Sequence, residues 1–260
     1  MDRPHKDAKI SVRGLKMAFG SFVVMKDLNF DIQQKDIFVI MGGSGCGKST
    51  LLRHMIGLKE PAEGSIYYEG ENFTEADGDE RLKYIRRFGV MYQSGALWSS
   101  MTLSENISMP IEENTNLKPA EVHDLAYYKL ALVGLSGYED YYPAQVSGGM
   151  NKRAGIARAM ALDPDVLFLD EPGAGLDPLS SQRLDELILR LRDSLGSTVV
   201  IVTHELASIF AIANNSIFLD TETRTQGATG NPKELRDQSE NETVRLFLNR
   251  GENNEPDDQL

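Results

Sequence analysis

Residues 36–58, DIFVIMGGSGCGKSTLLRHMIGL, constrain the fold of this chain more than any other stretch. The run DIFVIM is apolar without alternation, which predicts a strand buried on both faces, the habit of a parallel sheet. At the other end Leu51, Leu52, Met55 and Ile56 fall on one face of a helix. Between them Gly42, Gly43, Ser44, Gly45, Cys46, Gly47, Lys48 and Ser49 fit G-x-x-x-x-G-K-[ST] without a gap. A loop of this kind curls its backbone N–H groups around phosphate oxygens. Lys48 is then placed to reach the β- and γ-phosphates, and the Ser49 hydroxyl to ligate Mg²⁺. Cys46 reads as a filler of the loop. Strand, glycine loop and helix in this order predict an α/β fold with a P-loop NTPase core of RecA-like type.

The rest of the chain fits around that unit. Residues 10–35 read as paired antiparallel strands turning at Gly20, and GSIYYEG and FGVMYQ as further strands. From Thr102 the texture becomes helical. TLSE is a capping box with Thr102 as cap and Glu105 at the third helical position, and Pro119 suits a first helical turn. DVLFLD (165–170) and STVVIVTH (197–204) return to buried strands, with a helix between them. The expected organisation is one domain over 1–230: a β subdomain and core at about 8–93, a helical subdomain at about 94–155, and a return to the core at about 156–230. Residues 231–260 are expected to hold a C-terminal helix and an acidic disordered tail. The net charge of −12 weighs against a broad nucleic-acid surface. One cysteine leaves no internal disulfide, and no apolar run is long enough for a membrane span of the chain's own.

Four residues share one kind of address. Asp170 ends a buried strand and Glu171 follows it; Gln93 and His204 also sit at carboxyl ends of strands, where open α/β sheets bind ligands. In company with a phosphate loop, Asp170 can hold Mg²⁺ and Glu171 can orient or deprotonate an attacking water. Gln93 can reach the metal or the water, and His204 the γ-phosphate. A second cradle lies about a hundred residues after the first: Ser147, Gly148 and Gly149 open a helix and leave bare N–H groups for an anion. One chain cannot easily wrap both cradles around a single triphosphate, whereas two copies arranged head to tail can.

These motifs, in this order, resemble the ATP-binding cassette (ABC) family, and the resemblance covers nearly the whole chain. It implies that Phe19 stacks on adenine, that Gly42 to Ser49 is Walker A with Thr50 also in the ATP-binding set, and that Gln93 belongs to the Q-loop. It further implies that VSGGM (146–150) is the signature closing on the partner's ATP in trans through Ser147, Gly148 and Gly149. VLFLDEP then supplies Asp170 as Walker B acid with Glu171 as catalytic glutamate, GLDP (175–178) the D-loop, and His204 the switch histidine. Lys48, Gln93, Glu171 and His204 are the implied catalytic set, Ser49, Gln93 and Asp170 the implied metal set, and ATP and Mg²⁺ the implied cofactors. Val146 and Met150 depart from the usual Leu and Gln of the signature, and Phe19 from the commoner Tyr. SGGMNKRAGIARAMALDP and LDEPGAGLDP are similar to the ATPases of MCE-type phospholipid transporters, the MlaF group. That likeness implies a dimeric motor at the cytoplasmic face of the inner membrane, on a separate MlaE-like permease with an MCE-domain protein and an accessory subunit. An ATPase for another importer or exporter, a non-transport ABC ATPase, and a module that binds ATP without hydrolysing it are the alternatives. The presence of both Glu171 and His204 speaks against the last.

Overall fold

The structure is a computed structural model and describes residues 7–93 and 95–250. The expected acidic tail, RGENNEPDDQL (250–260), therefore lies outside the described residues except for Arg250. The chain divides into two compact units, with boundaries after Glu75 and after Thr203.

The first unit opens with two long antiparallel strands, β1 (Ala8–Phe19) and β2 (Phe22–Gln33), joined by the tight turn at Gly20. Ile10, Val12, Leu15 and Met17 on β1 are buried, as are Met25, Leu28, Phe30 and Ile32 on β2, so one face of the ribbon packs into a core. Then come β3 (Ile37–Gly42), buried along its whole length, α1 (Lys48–Met55), β4 (Glu63–Tyr68) and the short β5 (Glu71–Asn72). The antiparallel sheet has the order β2-β1-β4-β5. On α1, Leu51, Leu52 and Met55 are buried together with the following Ile56, the face read from the sequence.

The second unit runs through α2 (Gly78–Ile85), β6 (Phe88–Met91), α3 (Leu103–Asn114), α4 (Pro119–Leu132), a 3₁₀ turn at Pro143–Gln145, α5 (Gly148–Ala159), β7 (Val166–Asp170), α6 (Pro178–Leu195) and β8 (Thr198–Val202). β6, β7 and β8 are parallel neighbours, and every residue of β7 and β8 is buried, as their unbroken apolar runs require. The capping box at α3 forms as read. Thr102 Oγ1 accepts from Glu105 N at 3.2 Å, and Thr102 N donates to the Glu105 carboxylate at 2.7 Å.

The chain then returns to the first unit with α7 (Leu206–Ile212), β9 (Asn215–Asp220), β10 (Thr225–Gly230), α8 (Pro232–Gln238) and α9 (Glu242–Leu248). β9 lies parallel to β3 and antiparallel to β10. A polar clamp fixes where β3 begins: Ile37 N donates to Asn214 Oδ1 at 2.7 Å, and Asn214 Nδ2 donates to Asp36 Oδ1 at 2.8 Å. The clamp pins the register of β3 on β9, and so the height at which the glycine loop leaves the strand.

Candidate functional site

In the first unit the glycine loop leaves β3 and returns as α1, the context its spacing demanded. Two glycines are required by the backbone. At Gly42, with φ 147°, a side chain would lie 2.6 Å from the Leu219 carbonyl oxygen and 2.8 Å from Cys46 Sγ. Gly47 caps α1 from the left-handed region at φ 98°, with a Val24 methyl 2.8 Å from where a side chain would begin. Over Gly43 and Gly45 the space is open.

The Lys48 ammonium is turned back into the loop. Its Nζ donates to the carbonyls of Gly42 at 3.0 Å and Gly43 at 2.9 Å, and the side chain is 9% exposed. Carbonyl dipoles thus compensate a buried cation that would otherwise be costly to desolvate. Ser49 and Thr50 are half-buried at the start of α1. Cys46 is buried, and burial pushes its thiol up against the pull of Lys48, so it is a poor nucleophile and fits the role of filler.

Phe19 ends β1 at the hairpin tip and is 49% exposed, with the Lys59 ammonium 4.1 Å above its ring. The ring is half in solvent, and the ammonium covers one of its faces. His204, two residues past β8, is exposed.

In the second unit Asp170 and Glu171 stand together at the tip of β7, 6% and 8% exposed. Glu171 has a left-handed backbone, φ 50°. For a residue with a side chain this conformation is strained, and such strain clusters at working sites. It is held by a bond from Glu171 N to the Val202 carbonyl at 2.8 Å. Gln93 follows β6 with its side chain exposed.

The Ser147 hydroxyl caps α5 by accepting from Met150 N at 3.2 Å, so Gly148 and Gly149 form the first turn as expected. Gly148 needs no glycine for its backbone, and nothing lies within 4 Å of where its side chain would begin. Gly148 is the first residue of α5, so its N–H is among the first four of the helix, which have no acceptor within the helix.

Several residues were missed by sequence reasoning. Lys152 on α5 donates to the main-chain carbonyls of Gln93 and of Glu171. Arg158 donates to the carbonyl of Ala96 at 2.6 Å. Asn106, fully buried on α3, accepts from Trp98 N at 2.7 Å and donates to the carbonyls of Trp98, Met101 and Thr102. It therefore shapes the loop GALWSSM while leaving the Trp98 ring 55% exposed. Only the basic run of α5 hinted at any of this.

A P-loop after a buried parallel strand, and paired carboxylates at the tip of another, define a phosphate-handling ATPase fold. Residues 25–174 match the ABC transporter family, and the chain belongs to that family as an ATPase subunit. Among its relatives, the probable ribonucleotide transport ATP-binding protein mkl of Mycobacterium leprae is 39% identical over 240 residues, 92% of this chain and 68% of that protein. The intermembrane phospholipid transport system ATP-binding protein MlaF of Haemophilus influenzae is 37% identical over 205 residues, 79% of this chain and 78% of that protein. A dimeric ATP-binding cassette solved in a post-hydrolysis state with ADP and phosphate superposes with a TM-score of 0.75 at 27% identity, covering 85% of this chain and 98% of the other. The chain is therefore a cassette that hydrolyses ATP in transport, and cassettes of the family dimerise and work on membrane permeases. Among the described residues no helix is long and apolar enough to cross a membrane.

Proposed function

We propose that two copies bind two ATP molecules head to tail and drive a separate permease that moves phospholipid between membranes. In this reading the Gly42–Thr50 loop holds the phosphates. Lys48 exchanges its carbonyl partners for β- and γ-phosphate oxygens, a stronger charge-assisted contact. Phe19 supplies an exposed aromatic ring for adenine. Ser49 and Asp170 bring hard oxygen donors of the kind Mg²⁺ takes when it is shared with substrate phosphates. Bound there, the ion would neutralise charge on the β- and γ-oxygens. Glu171 takes the proton of the attacking water, Gln93 orients that water, and His204 donates to the γ-phosphate.

The observation that carries the dimer is Gly148. Its bare first helical turn is left open although its own unit imposes neither strain nor crowding there. An exposed, uncrowded first turn leaves room for an approach from outside. The partner's γ-phosphate, drawn to the helix N-terminus, is the group that fits. Glu171→Gln should lower turnover by on the order of 10²–10⁴, trap ATP and lock the dimer. Wild-type turnover in that variant would remove Glu171 from the mechanism.

The reading of the cargo rests on similarity to MlaF and on the likeness of SGGMNKRAGIARAMALDP and LDEPGAGLDP to the ATPases of that group. The name of the mycobacterial relative points instead to ribonucleotides. The two readings separate in proteoliposomes holding the complex that co-purifies with this subunit. ATP-dependent transfer of a labelled phospholipid supports the proposal, and accumulation of a ribonucleotide without lipid transfer contradicts it.

A further inference from the structure

We infer that Lys152 is a positioning residue for ATP hydrolysis, fixing the main chain at Gln93 and at Glu171 from the helix that carries the Ser147 cradle. The inference rests on the roles proposed above for Gln93 and Glu171.

Lys152 lies one turn into α5 and is 9% exposed. Its Nζ donates to the Gln93 carbonyl and, at 3.3 Å, to the Glu171 carbonyl. β6 and β7 are adjacent parallel strands with Met91 opposite Leu169, so Gln93 and Glu171 extend from neighbouring strand ends. A single ammonium with three rotatable hydrogens can bridge two such carbonyls.

The Glu171 peptide is thereby gripped on both sides. Its N–H donates to Val202 at the end of β8, and its carbonyl accepts from α5. Between these bonds the residue holds φ 50°, a conformation that persists only when its surroundings over-determine it.

The segment beyond Gln93 is strapped to the same helix. Arg158 donates to the carbonyls of Ala96 at 2.6 Å and Gly95 at 3.3 Å. Gly155 lets helix and loop approach: a side chain there would start 3.0 Å from Gly95 Cα. One rigid helix thus bears the bare Ser147 turn at its start and grips both main-chain segments further along. A buried ammonium is a costly way to fill space that a methionine would fill. The two carbonyl bonds give it a reason to be lysine.

Steady-state ATPase kinetics of the full-length protein test this, with Lys152→Met removing the charge and keeping most of the stem. The expected result is a kcat about 10- to 100-fold lower, the scale of a misplaced catalytic group, with KM for ATP changed by less than about threefold. Lys152→Arg should recover most of the loss, and both variants should melt close to wild type. A kcat within about threefold of wild type in Lys152→Met overturns the inference. So does an arginine variant no better than methionine, or a fall in melting temperature and ATP binding that accounts for the lost rate. Should Lys152→Met not fold, Lys152→Gln carries the test with the same thresholds, and failure of both to fold assigns the lysine to stability and overturns the inference. Lys48→Ala and Glu171→Gln run alongside. If they keep wild-type turnover, the proposed site itself falls. If they lose it while Lys152→Met does not, only the positioning role falls.

Discussion

Lys48 shows how much chemistry one side chain can hold ready. Its ammonium sits among the Gly42 and Gly43 carbonyls, so a phosphate would exchange one set of acceptors for a better one and leave no cation bare. Lys48→Ala should abolish turnover and weaken ATP binding by several kcal/mol in a dry site, read by fluorescent-nucleotide titration; hydrolysis near the wild-type rate would show that the loop is not the site. Gly42 makes a sharper steric case. Gly42→Ala should cost about 1–3 kcal/mol from backbone strain alone, with the Leu219 carbonyl blocking relief. A thermal melt unchanged from wild type would contradict the geometry. At this scale residue type and spacing fixed placement: Gly42 to Ser49 run from the end of β3 into the start of α1, Asp170 and Glu171 lie at the tip of β7, and Ser147 caps α5. The left-handed backbone of Glu171 had no such signature, because it arises from bonds to residues far away in the chain.

Elements were legible where local rules decide them. The buried runs of β3, β7 and β8, the box at Thr102 and the apolar face of α1 all follow from periodicity and capping. What escaped were long-range polar ties: Asp36 with Asn214, Asn106 with the Trp98 loop, and Lys152 with two strand ends. Each joins groups whose residue types suit ordinary surfaces, so nothing local marks them as buried partners. The loop GALWSSM gives the prediction for this scale. Asn106 fixes its main chain from below and Trp98 stays 55% exposed, the pattern of an aromatic anchor awaiting a partner. Trp98→Ala should leave the melting temperature within a few degrees of wild type while loosening co-purification with the membrane subunit. Unchanged co-purification would contradict a docking role for the loop, and a collapsed melt would show that the exposed ring stabilises the fold itself.

For the whole molecule the central claim is that one cassette is half of a machine. The proposal gives the loop at Lys48 the phosphates and Glu171 the attacking water, and it leaves the second cradle at Ser147 over unless another copy supplies the phosphate. The measurement that tests this most directly is cross-linking between a cysteine placed at Ser44 of one subunit and one placed at Ser147 of its partner, in a Cys46→Ser, Glu171→Gln background. Ser44 and Gly148 are exposed, and Gly148 has open space around it, so Gly148→Asp can be added without crowding its own subunit. Its carboxylate would then meet the incoming γ-phosphate, like charge against like. The account predicts an ATP-dependent cross-link that Gly148→Asp abolishes while ATP binding through Lys48 persists. A cross-link that forms equally well with Gly148→Asp would reduce the second cradle to a helix start and contradict the head-to-tail dimer.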